Sequence, residues 1–118
     1  MYKSKITEIG SLANELITEG MLIVFNDNAP LALREMSILH TIEVLNHQVK
    51  VDDIVVFGEK EYLVTAVGHE ANETLETMGH CTFCFNGSDM AQIPGQIELM
   101  GEGVPFVEVG FDFHIYST

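Results

Sequence analysis

The stretch Met21-Leu22-Ile23-Val24-Phe25, followed at once by Asn26-Asp27-Asn28, predicts a buried β-strand that ends in a turn. The stretch Ile54-Val55-Val56-Phe57 repeats this pattern, with Asp52-Asp53 before it and Gly58 after it. Because short apolar runs bounded by Gly, Asn or Asp recur at close spacing, the sequence predicts an all-β sheet or barrel. The other predicted strands cover residues 2–9, 36–45, 49–51, 62–67, 80–85, 96–100 and 106–116.

Three segments predict short helical pieces: Ser11–Ile17, Pro30–Glu35 and Glu70–Met78. Ser11 is the expected cap of the first, and proline suits the start of the second. In the third, Leu75 and Met78 are predicted to share a face, and Gly79 supplies a C-terminal stop.

Length and composition predict one domain covering residues 1–118, whose 47% of hydrophobic residues suffice for a core. No apolar run reaches the roughly 18–20 residues that span a bilayer, and no apolar segment follows the first lysines, so we expect a cytoplasmic protein. The net charge of −13 disfavours nucleic acid and anionic membranes as partners. It favours a basic protein partner, although solubility alone explains most acidic surfaces.

Motifs for several common chemistries are absent. The chain has no Gly-rich phosphate loop with a following lysine, no Gly-x-Ser-x-Gly and no His-Glu-x-x-His. The pair Cys81 and Cys84 has redox or zinc spacing, but it falls on a predicted strand, where side chains three apart point to opposite faces. We therefore expect no metal and no cofactor.

The residues with reactive potential are five histidines: His40, His47, His69, His80 and His114. His40 falls on the predicted strand 36–45 amid apolar neighbours, a pattern that favours a hydrogen-bonded core residue. The alternative is a nucleophile or base at the end of a barrel, where an apolar rim would dock a partner. His80, directly after Gly79, is either an exposed residue at a strand start or a second functional histidine. Arg34, the only arginine, either binds phosphate oxygens or lies on a helix surface.

An ordered set of short motifs along nearly the whole chain resembles the glucitol/sorbitol-specific IIA component of the phosphoenolpyruvate-dependent sugar phosphotransferase system. The motifs are Met21–Phe25, Asn28-Ala29-Pro30, Ile38-Leu39-His40, Val64–Gly68, Asn72 with Leu75, Gly79-His80 with Thr82, Pro94-Gly95 and Gly101. No single motif is specific, but the ordered set at these spacings is. One departure is Ile42, where some relatives have a polar residue.

The resemblance implies a compact single-domain β-barrel, mainly all-β, with one or two short helices. It implies a phosphocarrier that accepts a phosphoryl group from phosphohistidine HPr and passes it to the IIB part of a IIB/IIC membrane transporter, without entering the membrane itself. His40 corresponds to the phosphorylated histidine of the family, and His80 to a second histidine that assists. This mechanism requires the ring of His40 to lie at an approachable surface.

Two other functions compete with this one. The first is a non-catalytic acidic β-barrel that binds a protein or a small ligand, which the absence of Trp and the presence of only 3 Tyr disfavour. The second is a metal site built from histidines.

Overall fold

The computed structural model describes residues 2–118 and forms a closed barrel of eight strands in the order β1-β3-β2-β6-β7-β5-β4-β8. The mainly all-β class predicted from the apolar runs is therefore confirmed. The strands are β1 (Tyr2–Ile9), β2 (Met21–Asn26), β3 (Ser37–His40), β4 (Ile54–Phe57), β5 (Lys60–Val67), β6 (Cys81–Cys84), β7 (Gln96–Met100) and β8 (Asp112–Tyr116).

Three short helices connect the strands: α1 (Ala13–Thr18), α2 (Leu31–Arg34) and α3 (Ala71–Met78). All three were predicted, but one detail was wrong. Leu12, and not Ser11, occupies the N-cap position of α1, and no side-chain cap bond forms there. In α3, Leu75 is buried and Met78 at the helix end is 43% exposed. None of these helices is long and apolar enough to cross a membrane, as judged over residues 2–118.

The barrel pairs most strands antiparallel but contains two parallel pairs, β2 with β3 and β6 with β7. In the first pair α2 lies in the crossover between the strands, so the C-terminal residues of both, Asn26 and His40, lie side by side. Strand β6 runs antiparallel to β2, so its first residue, Cys81, comes near the same end. The topology thereby brings His40 and the residues just before β6 together.

The barrel interior holds the main hydrophobic core, with fully buried aromatic rings at its centre. The rings of Phe57 and Phe113 stack with centroids 5.3 Å apart, and Phe83 meets both edge-on. A smaller cluster of Phe25, Ala29 and Leu39 packs separately from this core. Because side chains alternate along a strand, Ile38 belongs to the main core while Leu39 belongs to the smaller cluster.

Three predicted strands differ from the observed ones. The strand predicted at 36–45 ends at His40, the segment 49–51 forms no strand, and only 112–116 of the segment 106–116 is a strand. In the second case α3 supplies the reason, since the side chain of Asn72 accepts from the backbone N–H of Val49 at 2.7 Å and donates to its carbonyl at 3.0 Å. Val49 thus satisfies its backbone polar groups against a helix side chain instead of a neighbouring strand.

Candidate functional site

His40 lies at the C-terminal end of β3, with its side chain pointing into the barrel interior and 0% exposed. Its Nε2 lies 2.8 Å from the carbonyl oxygen of Gly79, and its Nδ1 lies 2.9 Å from that of Thr41. The expectation that this ring would lie at an approachable surface is therefore wrong. The physical reason is the turn between α3 and β6, which closes over the ring.

Aromatic rings enclose His40 on its inner side. The ring of Tyr2 meets it edge-on at a centroid distance of 6.0 Å, and the ring of Phe113 does so at 5.2 Å. The hydroxyl of Tyr2 is buried without a hydrogen-bond partner within residues 2–118. Burial also raises the pKa of this phenol, so it stays protonated and keeps an unused donor within the barrel.

The two carbonyl partners of His40 cannot both accept a hydrogen bond from its neutral ring. A neutral imidazole carries one N–H, so only one of its nitrogens can donate to a carbonyl. The other nitrogen then directs its lone pair toward an oxygen that offers no proton. One of the two contacts of neutral His40, with Gly79 or with Thr41, is consequently not a hydrogen bond, and that nitrogen is the more weakly held.

Gly79 covers His40 because it has no side chain. The residue ends α3 in the left-handed conformation, with φ of +60°. A Cβ atom built there would lie 1.9 Å from Oδ1 of Asn26 and 2.8 Å from Cε1 of His40. The Oδ1 of Asn26 is itself buried and unpaired within residues 2–118, so a second unsatisfied polar atom lies at this turn.

His80 follows Gly79 directly and is half-buried. Its Nδ1 lies 3.1 Å from the carbonyl oxygen of Val24, and its ring stacks on Phe25 with centroids 4.0 Å apart. Burial lowers the pKa of His80, against a smaller opposing effect of the Val24 carbonyl, and favours the neutral form. Since Nδ1 must donate to that carbonyl, the lone pair of neutral His80 resides on Nε2.

Arg34 holds the loop beside His40 and does not face the ring. Its Nε donates to the carbonyl of Ala29 at 2.8 Å, its Nη2 to the carbonyl of Asp27 at 2.9 Å, and its Nη1 to Glu8 at 3.1 Å. The N–H of Asp27 in turn donates to the carbonyl oxygen of His40 at 2.8 Å. Of the two interpretations of Arg34, a structural role is the one its contacts support.

The remaining reactive residues lie apart from this site or are inert. Cys81 and Cys84 are buried free thiols, and burial raises the pKa of both, that of Cys84 to about 11. No group of three or more His, Cys, Asp or Glu in residues 2–118 is arranged to hold a metal ion.

The site contains three residues that sequence patterns did not select for function: Tyr2, Asn26 and Gly79. Gly79 was predicted as a helix stop and as part of a family motif with His80, without a role of its own, and Asn26 only as part of a turn. Tyr2 gave no signal, because its proximity to His40 arises from β1 pairing with both β3 and β8, which are distant in sequence. The structure does bring together the two histidines singled out from sequence, on either side of Gly79.

Comparisons with known proteins agree on one family. The family model described as PTS system glucitol/sorbitol-specific IIA component matches residues 1–114. Two proteins named PTS system glucitol/sorbitol-specific EIIA component, from Shigella flexneri and Escherichia coli (strain K12), are each 34% identical over 101 residues, covering 86% of this chain and 82% of theirs. The crystal structure of a PTS system IIA component from Enterococcus faecalis V583 has the same fold, with a TM-score of 0.87, 24% identity, and coverage of 98% and 99% of the two chains.

Proposed function

Because this chain belongs to the family of glucitol/sorbitol-specific IIA components of the sugar phosphotransferase system, we propose that it carries its phosphoryl group on His40. As a member of the family it is a phosphocarrier component of that system and works with its partner proteins. We propose that the donor is phosphohistidine HPr and that the acceptor is the IIB part of a glucitol/sorbitol transporter. The site of action is then the cytoplasm.

The observation that carries the assignment is the convergence of His40, Gly79 and His80 at one end of the barrel. His40 contacts the carbonyl of Gly79 from the barrel interior, and His80 follows Gly79 with its ring on Phe25. The hydroxyl of Tyr2, whose ring meets that of His40 edge-on, and Oδ1 of Asn26 at the turn lack partners within residues 2–118. Such unpartnered groups are unusual in a barrel interior, and of these two the Tyr2 hydroxyl can donate to a phosphoryl oxygen, whereas the amide oxygen of Asn26 only accepts.

The transfer uses the lone pair of the unprotonated nitrogen of His40. That nitrogen attacks the phosphorus of the donor phosphohistidine, a new N–P bond forms, and the donor imidazole leaves with the electron pair of the broken bond. The transition state is loose, so catalysis depends on positioning and on charge stabilisation. The other ring nitrogen keeps its proton and donates it in a hydrogen bond to a carbonyl oxygen, which fixes the tautomer.

Enclosure of the ring imposes one further requirement on this mechanism. The attacking nitrogen must leave its carbonyl partner, and the cover over the ring must open, before phosphorus can approach within bonding reach. We assign this opening to the turn at Gly79, since it connects α3 to β6 and contacts the ring directly. Displacement of this turn would also move His80.

His80 is proposed to assist and not to carry the phosphoryl group. Its tie to the carbonyl of Val24 leaves Nε2 as a proton acceptor or, when protonated, as a donor to a phosphoryl oxygen. The lowered pKa of His80 keeps the neutral form dominant near neutral pH. Development of negative charge beside it would favour protonation at the moment of transfer.

The test is phosphorylation of three histidine variants by phosphorylated HPr, followed by intact mass. We expect His40→Ala to remain folded and to gain no phosphate. His80→Ala is expected to gain phosphate more slowly, by about 100-fold, the lower end of what loss of a positioned proton-transfer group costs. His69→Ala, an exposed residue outside the site, is the control and is expected to match the unaltered chain.

The location of the acid-labile phosphate completes this test. Peptide mapping of the phosphorylated chain should place it on His40. Normal incorporation into His40→Ala would overturn that assignment, and phosphate found on His80 would reverse the two roles. A chain that takes no phosphate from HPr but binds a protein or small ligand would support the non-catalytic alternative.

A further inference from the structure

We propose that Ile42, Met78, Asp27 and Glu43 form a docking rim around the covered His40, on which a donor protein with a basic, apolar-centred face binds. This inference rests on the proposed function and adds the surface that the donor must recognise. The four residues come from three separate segments of the chain, which the fold gathers around one ring.

Two exposed apolar side chains flank the covered ring. Ile42 is 55% exposed and follows His40 by two residues, whereas Met78 is 43% exposed and directly precedes Gly79. Single exposed apolar residues are common on any surface. Here, however, Ile42 directly follows Thr41 and Met78 directly precedes Gly79. The carbonyl oxygens of Thr41 and Gly79 are the groups that contact the ring nitrogens of His40. A protein that reaches His40 past the turn at Gly79 therefore contacts both apolar side chains.

The charge of the rim is negative. The backbone of Asp27 is bonded to that of His40, and the carboxylate of Glu43 accepts from the hydroxyl of Thr41 at 2.9 Å. Within residues 2–118 neither carboxylate forms an ion pair. Lys3 and Lys5 border the same shallow cleft as Glu43 and share one carboxylate, that of Asp112, at 3.9 and 3.0 Å, so the charge of this cleft is balanced and the acidic part of the rim consists of Asp27 and Glu43.

This combination selects one kind of occupant. A nucleic acid or a second copy of this chain would bring further negative charge to a surface that already belongs to a chain of net charge −13. A protein with lysine or arginine around an apolar centre would be attracted by charge and held by contact with Ile42 and Met78. The phosphoryl donor is the protein that must approach this ring.

The experiment measures the KM and kcat for phosphorylation of this chain by phosphorylated HPr. Ile42→Ser and Met78→Ser are each expected to raise KM severalfold, and the double variant about tenfold, with kcat unchanged within about twofold. Met100→Ser is the matched control. Met100 is 52% exposed and ends β7, which runs parallel to β6, so it lies at the opposite end of the barrel from His80.

Binding without phosphate transfer gives a second measurement. In a titration of the isotope-labelled chain with unphosphorylated HPr, the amide signals of residues 42 and 78 are expected to shift, and that of residue 100 is not. Unchanged KM in the double variant, or a loss confined to kcat, would overturn the docking rim while leaving the phosphocarrier intact. Failure of the unaltered chain to take any phosphate would instead overturn the proposed function.

Discussion

At the scale of single residues, Gly79 decides how tightly His40 is enclosed. Alanine at this position must adopt φ of +60°, which costs a non-glycine residue about 1–2 kcal/mol. Its Cβ must in addition displace the side chain of Asn26 or the ring of His40. We expect Gly79→Ala to lower the free energy of unfolding by more than about 2 kcal/mol, measured by chemical denaturation.

Gly103 provides the matched control for this substitution. Its φ is +68°, and a Cβ atom there would meet nothing within 4 Å. Gly103→Ala therefore incurs the conformational cost without the steric one. The difference in unfolding free energy between the two variants gives the steric cost of a side chain at Gly79. Equal losses of stability in the two variants would mean that the turn over His40 can accommodate a Cβ atom at residue 79, which would contradict the prediction.

At the scale of elements, the connection between β3 and β4 is attached to α3 through Asn72. The amide of this side chain satisfies both backbone groups of Val49, which is itself buried. Asn72→Ala leaves a buried donor and acceptor unpaired, so we expect a loss of about 1–3 kcal/mol in unfolding free energy. Asn14→Ala on the exposed face of α1 is the control, and a similar loss there would contradict the prediction.

The same connection shows what local sequence patterns could and could not predict. Apolar runs predicted β2, β4 and β7 well. Each of these strands buries alternate or successive side chains, and that burial produces an apolar run in the sequence whatever the strand pairs with. The segment 36–45 continued the apolar pattern past His40, yet the strand ends there. Val44 is 80% exposed, and Val49 pairs with a helix side chain that is 23 residues away in sequence.

Part of the candidate site could be predicted from sequence motifs, and part of it could not. His40 and His80 were identified through an ordered set of motifs shared with a family, and the pairing of β2 with both β3 and β6 explains why they lie at the same end of the barrel. The cover over His40 was not predictable, because it is a left-handed turn that closes over a ring 39 residues earlier in the chain. Periodicity alone did favour a hydrogen-bonded core histidine, and the ring has that environment.

At the scale of the whole molecule, the net charge of −13 is distributed over a body of only 32 × 29 × 26 Å. The Debye length is about 30 Å at 0.01 M salt and about 8 Å at 0.15 M. At low salt every charge therefore interacts with most others, whereas at physiological salt only neighbours interact. Because like charges dominate, their mutual repulsion destabilises the compact state, and added salt should relieve it.

Ionic strength should consequently act on stability and on docking in opposite directions. We expect the melting temperature of the chain alone to rise between 0.01 and 0.15 M NaCl, while KM for phosphorylation by phosphorylated HPr rises as well, because screening weakens attraction of a basic partner. The first effect should occur equally in Asp27→Asn and Glu43→Gln, since each removes one charge of many. The rise of KM with salt should be smaller in both variants than in the unaltered chain. A KM independent of salt would show that net charge governs only the stability of the barrel and takes no part in choosing its partner.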